Sequence, residues 1–211
     1  MVSATNRRRR ERRLRRLSRR EAVKMNRVGA LLGAIALVLC SCRSENTAIS
    51  QPKGEYKKMQ IKVTSSAFSE GQMIPPKYTC DGANVSPPLA WDGIPTNALT
   101  IALISDDPDA PAKTWVHWVL YNLPANVKEL PENVKPEKKL ANGALQGTND
   151  SGKIGYSGPC PPSGTHRYYF KIYALDKRLD LQPGATKPQL LEAMTSHILA
   201  EGQLMGKYRR R

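Results

Sequence analysis

The sequence contains no apolar run long enough to cross a lipid bilayer as a helix. Its longest apolar stretch, Val28 to Leu39, has twelve residues, which as a helix would span about 18 Å of the ~30 Å hydrocarbon core. A run of this length directly after an arginine-rich segment is typical of an export signal rather than of a membrane span. We therefore predict that residues 1–41 are an export leader.

Cysteine is also scarce, and two of the four cysteines lie where the leader ends. The small residue before Cys42 makes that position resemble a bacterial lipoprotein cleavage site, whereas Leu39 before Cys40 makes Cys40 a poorer candidate. Lipidation of Cys42 would anchor the protein to a membrane of the cell envelope, facing the periplasm or the exterior. Plain secretion with cleavage nearby is the alternative.

The start of translation and the export route stay open. The segment 18–24, with Arg19-Arg20, resembles a twin-arginine export motif, but Met25 is an equally good start, which would make residues 1–24 a translation artefact or a disordered basic tail. Residues 42–58 are polar, without a periodic apolar pattern, and are predicted to be a tether. Residues 59–211 are predicted to form the folded domain.

Outside the leader, the sequence lacks a large excess of positive charge. The formal net charge is +15, but residues 1–41 hold twelve of the 33 Lys and Arg and only two of the 18 Asp and Glu. Because the basic charge belongs mainly to the leader, nucleic-acid binding is not predicted.

Internal repeats are absent, and helical patterns are few. Strands are predicted from the alternation over 59–64, the apolar run 98–105, the stretch 115–123 and the segment that begins at 166. The only clear helix start is Thr186, followed three residues later by Gln189. Its apolar stripe runs from Leu190 to Leu199, and Gly202 is predicted to end the helix. We predict a mainly β fold, with two sheets and a peripheral C-terminal helix.

A loop rich in glycine and proline, residues 155–164, comes just before one predicted strand. Proline fixes φ and glycine permits positive φ, so the loop is expected to be stiff and sharply shaped. His166 and Tyr168 begin the strand two residues apart and therefore project to the same face. This composition predicts one wall of a small binding site.

A second loop and strand have the same design. Asp107 and Asp109 precede a strand on which Trp115 and His117 share one face with Val119 and Tyr121. If the two strands are neighbours, two histidines, a tyrosine and two carboxylates converge on one cavity.

Three other polar residues, of which His197 is predicted to be structural, are not expected to contact a ligand. Asp106 is predicted to be a solvated loop residue, and Asp109 to shape the turn through its side-chain oxygen. His197 stands alone on the predicted helix.

These groups also suit a metal site or a nucleophile, but the spacing argues against both. Asp107, His117 and His166 are zinc-ligand types, yet no tight pattern such as H-E-x-x-H accompanies them. A pair of Cys160 and His166 lacks an evident third group to orient the base. We predict neither a metal nor a cofactor.

Several separated motifs, in the same order, resemble the phosphatidylethanolamine-binding protein family, and specifically its bacterial Raf kinase inhibitor-like branch. The resemblance covers residues 60 to 208 and rests on the segments 80–91, 107–111, 115–118, 155–168 and 197–200. It implies a large central antiparallel sheet with a smaller second sheet. It also implies a shallow pocket for phosphate-like anions or phospholipid headgroups, formed by Asp107, Pro111, Trp115, His117, Pro162, His166 and Tyr168.

The chemistry of these side chains suits such a ligand. Histidines in the imidazolium form, the Tyr168 hydroxyl and loop amides would donate to a phosphate, while Asp107 would orient a histidine or accept an ammonium. Affinity is then expected to weaken as the pH rises and the histidines lose their protons.

We predict a binding protein rather than an enzyme. The alternatives are a hydrolase of small phosphorylated or acylated substrates with His117 or His166 as general base, and an inhibitor of a partner kinase or protease. The oligomeric state stays open, a homodimer included. Also open is a disulfide between Cys80 and Cys160, which forms readily in an exported protein.

Overall fold

The computed structural model describes residues 59–210. The predicted leader, the lipidation site Cys42 and the tether 42–58 lie outside the described residues. Within residues 59–210, no helix has the length and apolar character needed to cross a membrane.

Residues 59–210 form nine strands and one α-helix. The strands are β1 (Met59–Gln60), β2 (Lys62–Thr64), β3 (Leu89–Asp92), β4 (Thr100–Asp107), β5 (Trp115–Pro124), β6 (Glu129–Leu130), β7 (Leu145–Gln146), β8 (His166–Leu175) and β9 (Ile198–Tyr208). The helix α1 spans Lys187–Met194, and a 3₁₀ turn spans Pro76–Tyr78.

The strands form two sheets. The large sheet has the order β1-β9-β8-β4-β5-β7, and the small one has the order β2-β3-β6. Every pairing is antiparallel except the edge pairing of β1 with β9. The prediction of a mainly β fold with a large and a smaller sheet is confirmed.

The large sheet is buried on both faces, which explains why β4 contains an uninterrupted apolar run, residues 101–104. One core cluster joins it to the small sheet and includes Val63, Trp91, Trp118 and Phe170. A second joins it to α1 and includes residues such as Ile104, Tyr121, Leu190 and Met194. All eight residues of β4 are buried, as expected of a strand covered on both sides.

The helix begins where the sequence predicts but ends earlier. The Gln189 side chain accepts a hydrogen bond of 2.8 Å from the Thr186 backbone N–H, which completes the predicted capping box. The helix then ends at Met194, and Ser196 follows with φ of 66°. The predicted extension to Gly202 is therefore wrong.

The residues beyond the turn form β9, the longest strand, which pairs with β8 from Ile198 to Tyr208. Apolar residues four apart fit a helical stripe, but they also fit alternate positions of a strand. Pairing with β8 decides in favour of the strand. Within that strand, Gly202 lies against Ile61, where a Cβ would be 1.8 Å from the Ile61 carbonyl oxygen, so only glycine fits there. Residues 198–208 thus form a strand of the large sheet rather than the end of a helix.

Candidate functional site

The two strands that carry the predicted site are not neighbours. β4 lies between β5 and β8, and it ends at Asp107, opposite Trp115 of β5. The other side of β4 pairs with β8, where Asp106 is opposite Tyr169. The site residues converge because the ends of three adjacent strands meet, with the Asp107 carboxylate in the middle.

A β-bulge in β5 sets the position of His117. Ser105 of β4 is opposite Trp118, but the next residue, Asp106, is opposite Val116, so His117 is the additional residue. The bulge reverses the alternation along the strand. The predicted faces, which ignored it, are wrong for residues 118–121. A second register shift, opposite residues 101–103, returns Leu123 to the cluster that contains Trp118.

Beyond the bulge, the two faces of β5 exchange their partners. Val119 and Tyr121, predicted to share the face of His117, pack in the cluster that contains α1. Trp118 instead packs in the cluster that contains Tyr168. Sequence periodicity cannot find such a bulge, since the extra residue is defined by the register against another strand.

The strand ends and the adjoining loops surround a cavity of about 290 Å³. All seven residues of the predicted pocket line it: Asp107, Pro111, Trp115, His117, Pro162, His166 and Tyr168. Six residues that were not predicted also line it: Ala110, Ser151, Ser157, Gly158, Cys160 and Pro161. Four of these six lie in the stiff loop 155–164, whereas Ser151 has no sequence signal of its own.

Asp107 holds both the loop after β4 and the ring of His166. Its Oδ2 atom accepts a hydrogen bond of 2.8 Å from His166 Nδ1, and its Oδ1 atom accepts one of 2.8 Å from the Asp109 backbone N–H. Both side chains of the pair are at most 10% exposed. Asp107, rather than Asp109, therefore shapes this turn.

His117 is also held in one orientation. Its Nδ1 atom lies 2.6 Å from the Ser157 carbonyl oxygen, which belongs to the stiff loop. Desolvation by burial lowers the pKa of His117, against smaller opposite effects of the Ser157 bond and the nearby carboxylates. This ring is therefore neutral at neutral pH and is not the imidazolium donor that the sequence led us to expect.

Tyr168 contributes a buried hydroxyl without a protein partner. The residue is 1% exposed, and its hydroxyl forms no hydrogen bond of normal length within the described part of the chain, although the Asp107 carboxylate is near enough to attract it weakly. Burial and the Asp107 carboxylate raise the pKa of Tyr168, so the hydroxyl keeps its hydrogen. Its ring meets the His117 ring edge to face, with centroids 5.2 Å apart.

The stiff loop is fastened to the segment 78–84. A disulfide joins Cys160 to Cys80, with their Cα atoms 5.4 Å apart. The Cys80 N–H donates to the Pro159 carbonyl at 3.0 Å, and the Gly158 N–H donates to the Asn84 side chain at 2.7 Å. The pocket wall is thus covalently closed, and the Cys160 sulfur is not available as a nucleophile.

Asp106 is buried, contrary to the prediction of a solvated loop residue. It lies within β4 at 0% exposure and does not line the cavity. Its carboxylate accepts hydrogen bonds from the ammonium groups of Lys171, at 2.8 and 2.9 Å, and Lys187, at 2.5 Å. β4 ends at Asp107, so the loop begins at Pro108, two residues later than expected.

Asp109 forms an ion pair with Arg167, and His197 contacts a carboxylate. The Asp109 carboxylate accepts from the Arg167 guanidinium at 2.6 and 2.9 Å and from its backbone N–H. These bonds lower the pKa of Asp109 to about 2. His197 lies in the turn before β9 rather than on the helix, and its Nδ1 atom is 2.9 Å from the Asp176 carboxylate.

Within residues 59–210, no group of three His, Cys, Asp or Glu side chains is arranged to hold a metal ion. At the cavity, His166 and Asp107 direct their polar atoms at each other. The arrangement offers hydrogen bonds to a ligand: the Tyr168 hydroxyl donates, and the imidazole nitrogens without partners face the same space.

The chain is similar in sequence to proteins of archaea and bacteria. A UPF0098 protein of Methanothermobacter thermautotrophicus is 55% identical over 150 residues, which are 71% of this chain and 99% of that protein. A UPF0098 protein of Chlamydia muridarum is 49% identical over 153 residues, which are 70% of this chain and 98% of that protein.

Two solved structures have the same fold. A crystal structure described as a phosphatidylethanolamine-binding protein homologue of Chlamydia trachomatis matches with a TM-score of 0.67 and 45% identity, covering 72% of this chain and 99% of that one. YbcL of Escherichia coli, described as a member of the mammalian PEBP family, matches with a TM-score of 0.66 and 31% identity, covering 73% and 99%.

The family model described as phosphatidylethanolamine-binding protein matches residues 64–209. The matched segment contains strands β3 to β9 and the last residue of β2, and it leaves out β1. The match also includes every residue that lines the cavity. The chain belongs to the phosphatidylethanolamine-binding protein family.

Proposed function

We propose that this protein is an extracytoplasmic binding protein whose cavity holds a phosphate-like anion or a phospholipid headgroup. The observation that carries the proposal is the Tyr168 hydroxyl, which is buried in the cavity wall without a partner in the described residues. Leaving a buried polar group unpaired costs about 1–3 kcal/mol. A ligand oxygen in the cavity would accept the hydrogen bond and remove this cost.

The size and lining of the cavity support a small ligand. A volume of about 290 Å³ is at the lower end of the range for small-molecule sites, roughly 300–1,000 Å³. Pro111, Pro162 and Trp115 form apolar walls around the polar groups. A headgroup fits this space, and Asp107 supplies an acceptor for the ammonium of a zwitterion such as phosphoethanolamine.

Substitution of Tyr168 by Phe is expected to weaken binding of phosphate and phosphoethanolamine about tenfold, since one hydrogen bond to the anion is lost. The free energy of unfolding is expected to stay the same or rise slightly, because the variant removes an unpaired buried hydroxyl. Titration calorimetry measures the first effect and denaturant unfolding measures the second.

Tyr208→Phe is the matched control. Its hydroxyl donates to the Asp81 carboxylate at 2.7 Å and does not line the cavity. This variant should lose some stability and keep its affinity. If Tyr168→Phe instead behaved like the control, the Tyr168 hydroxyl would be a structural group and the proposal would lose its main support.

The described residues favour binding over hydrolysis. Cys160 is bonded to Cys80, and the hydroxyls of Ser151 and Ser157 lie 3.4 Å from each other without a histidine partner. Both readings expect His166→Ala to lose the ligand. A phosphatase or esterase turnover that disappears in the same variant would establish the enzyme instead.

The extracytoplasmic location is supported by the lipoprotein-type pattern before Cys42 and by the Cys80–Cys160 disulfide, since disulfides persist in oxidising compartments. We expect the protein to incorporate a labelled fatty acid in a bacterial host and to partition with membranes. Cys42→Ser should abolish the labelling, whereas Cys40→Ser should leave it intact. Labelling that survives Cys42→Ser would contradict this assignment.

A further inference from the structure

The cavity presents hydrogen-bond acceptors as well as donors. The Ser157 carbonyl oxygen can only accept, so the Nδ1 atom of His117 carries the ring hydrogen. Because desolvation lowers the pKa of His117, the ring has no second hydrogen at neutral pH. Its Nε2 atom, without a partner among the described residues, therefore offers a lone pair to a ligand.

Asp107 adds a second acceptor to the same site. Its two oxygens already accept from Asp109 and His166, but each carboxylate oxygen keeps a further lone pair. The carboxylate is almost completely buried, at 3% exposure of the residue. An ionised group held so deeply interacts with a bound charge more strongly than it would in water.

The cavity lining carries a carboxylate but no strong cation. No lysine or arginine is among the described residues that line it, whereas Asp107 is. Besides Asp107 and His117, the titratable groups of the lining are the phenol of Tyr168 and the imidazole of His166, whose Nδ1 atom is hydrogen-bonded to Asp107. The carboxylates of Asp106 and Asp150 also act on His117 from outside the lining, and both are paired with lysines. A bare dianion placed here would meet a carboxylate and an imidazole lone pair, both of which repel it.

We propose that the cavity selects anionic groups that bring their own hydrogen-bond donor, and that His117 accepts from that donor. A singly protonated phosphate has an O–H for His117 Nε2 and bare oxygens for the Tyr168 hydroxyl. A headgroup zwitterion has an ammonium beside its phosphate and satisfies the same rule. Sulfate has the same shape as phosphate but no hydrogen at neutral pH, and is rejected. This inference rests on the proposed function.

Two pairs of probes test the rule by titration calorimetry on the purified full chain. Inorganic phosphate is compared with sulfate, and glycerophosphoethanolamine with glycerophosphocholine, whose quaternary ammonium has no N–H. We expect the donor-bearing member of a pair to bind about 10- to 100-fold more tightly. If only phosphate and sulfate are discriminated, the ligand is a free phosphate. If only the two glycerophospho compounds are discriminated, the ligand is a lipid headgroup.

The pH dependence separates this rule from simple attraction by a charged histidine. Between about pH 5 and about pH 8, a phosphate monoester such as methyl phosphate loses its last exchangeable hydrogen, whereas sulfate has none to lose. We expect the affinity for methyl phosphate to fall over this range, while the affinity for sulfate stays weak and flat. If protonated histidines supplied the attraction, both affinities would fall together, which would overturn the inference.

His117→Phe removes the acceptor and keeps a ring of similar size. In this variant the preference for phosphate over sulfate is expected to shrink towards one, and thermal unfolding reports whether the variant is folded. If the variant does not fold, the probe pairs and the pH series on the unaltered protein still test whether the cavity selects donor-bearing anions. Equal binding of both members of each pair overturns the inference and leaves the proposed function intact. No binding of any of the four probes overturns both.

Discussion

Removal of the Cys80–Cys160 disulfide, by substitution of both cysteines with serine, is expected to lower the free energy of unfolding by about 4 kcal/mol. The bond joins residues separated by 80 positions in the sequence. Without it, the unfolded chain gains the conformational freedom of a large loop, while the folded state loses a single covalent contact. Denaturant unfolding of the oxidised protein, the reduced protein and the double variant measures the difference.

The same change is expected to weaken ligand binding, since Cys160 is part of the cavity wall. The wall would keep its hydrogen bonds from Gly158 to Asn84 and from Tyr156 to the Tyr78 carbonyl, so the loop is loosened rather than released. The double variant controls for other effects of the reductant. It has no Cys80–Cys160 disulfide, so adding a reductant should not change its stability. Equal unfolding midpoints for the oxidised and reduced proteins would contradict the prediction.

Asp106→Ala is expected to cost about 3 kcal/mol, at the low end of the range for breaking a buried ion pair. The carboxylate is completely buried, and its loss leaves the ammonium groups of Lys171 and Lys187 without their counter-ion. The low end applies because these lysine side chains are 29% and 20% exposed and keep some hydration. Thermal and denaturant unfolding are the measurements.

The exposed pair of Lys113 and Asp150 supplies the matched control. The Lys113 side chain is 62% exposed, so Lys113→Ala should cost less than about 1 kcal/mol. Replacing Asp106, Lys171 and Lys187 together by Leu or Met should cost much less than Asp106→Ala, since no unpaired charge stays behind. An Asp106→Ala variant as stable as the Lys113→Ala variant would show that the buried network contributes little.

Local patterns predict most of the fold. The apolar run of β4, the strand that starts at His166 and the capping box at Thr186 all lie where the sequence places them. The wrong prediction concerns residues after Met194, where an apolar stripe is compatible with both a helix and a strand. There the pairing of β9 with β8 decides, and no local feature reports it.

The residues of the candidate site are predictable from their motifs, but their arrangement is not. The strand between β5 and β8, the bulge at His117 and the burial of Asp106 each depend on a register between segments that are distant in the sequence. A bulge adds one residue without changing the composition, so periodicity continues through it undetected.

The sequence by itself determined the parts of this protein that depend on neighbouring residues: a stiff loop, a helix cap, alternating strands and a set of polar side chains typical of a family. Only the tertiary structure decided what those side chains do. His117 is bonded to a carbonyl 40 residues away and His166 to a carboxylate 59 residues away. The hydrogen-bond partner and the burial of each ring determine which nitrogen donates and which accepts, and both come from folding.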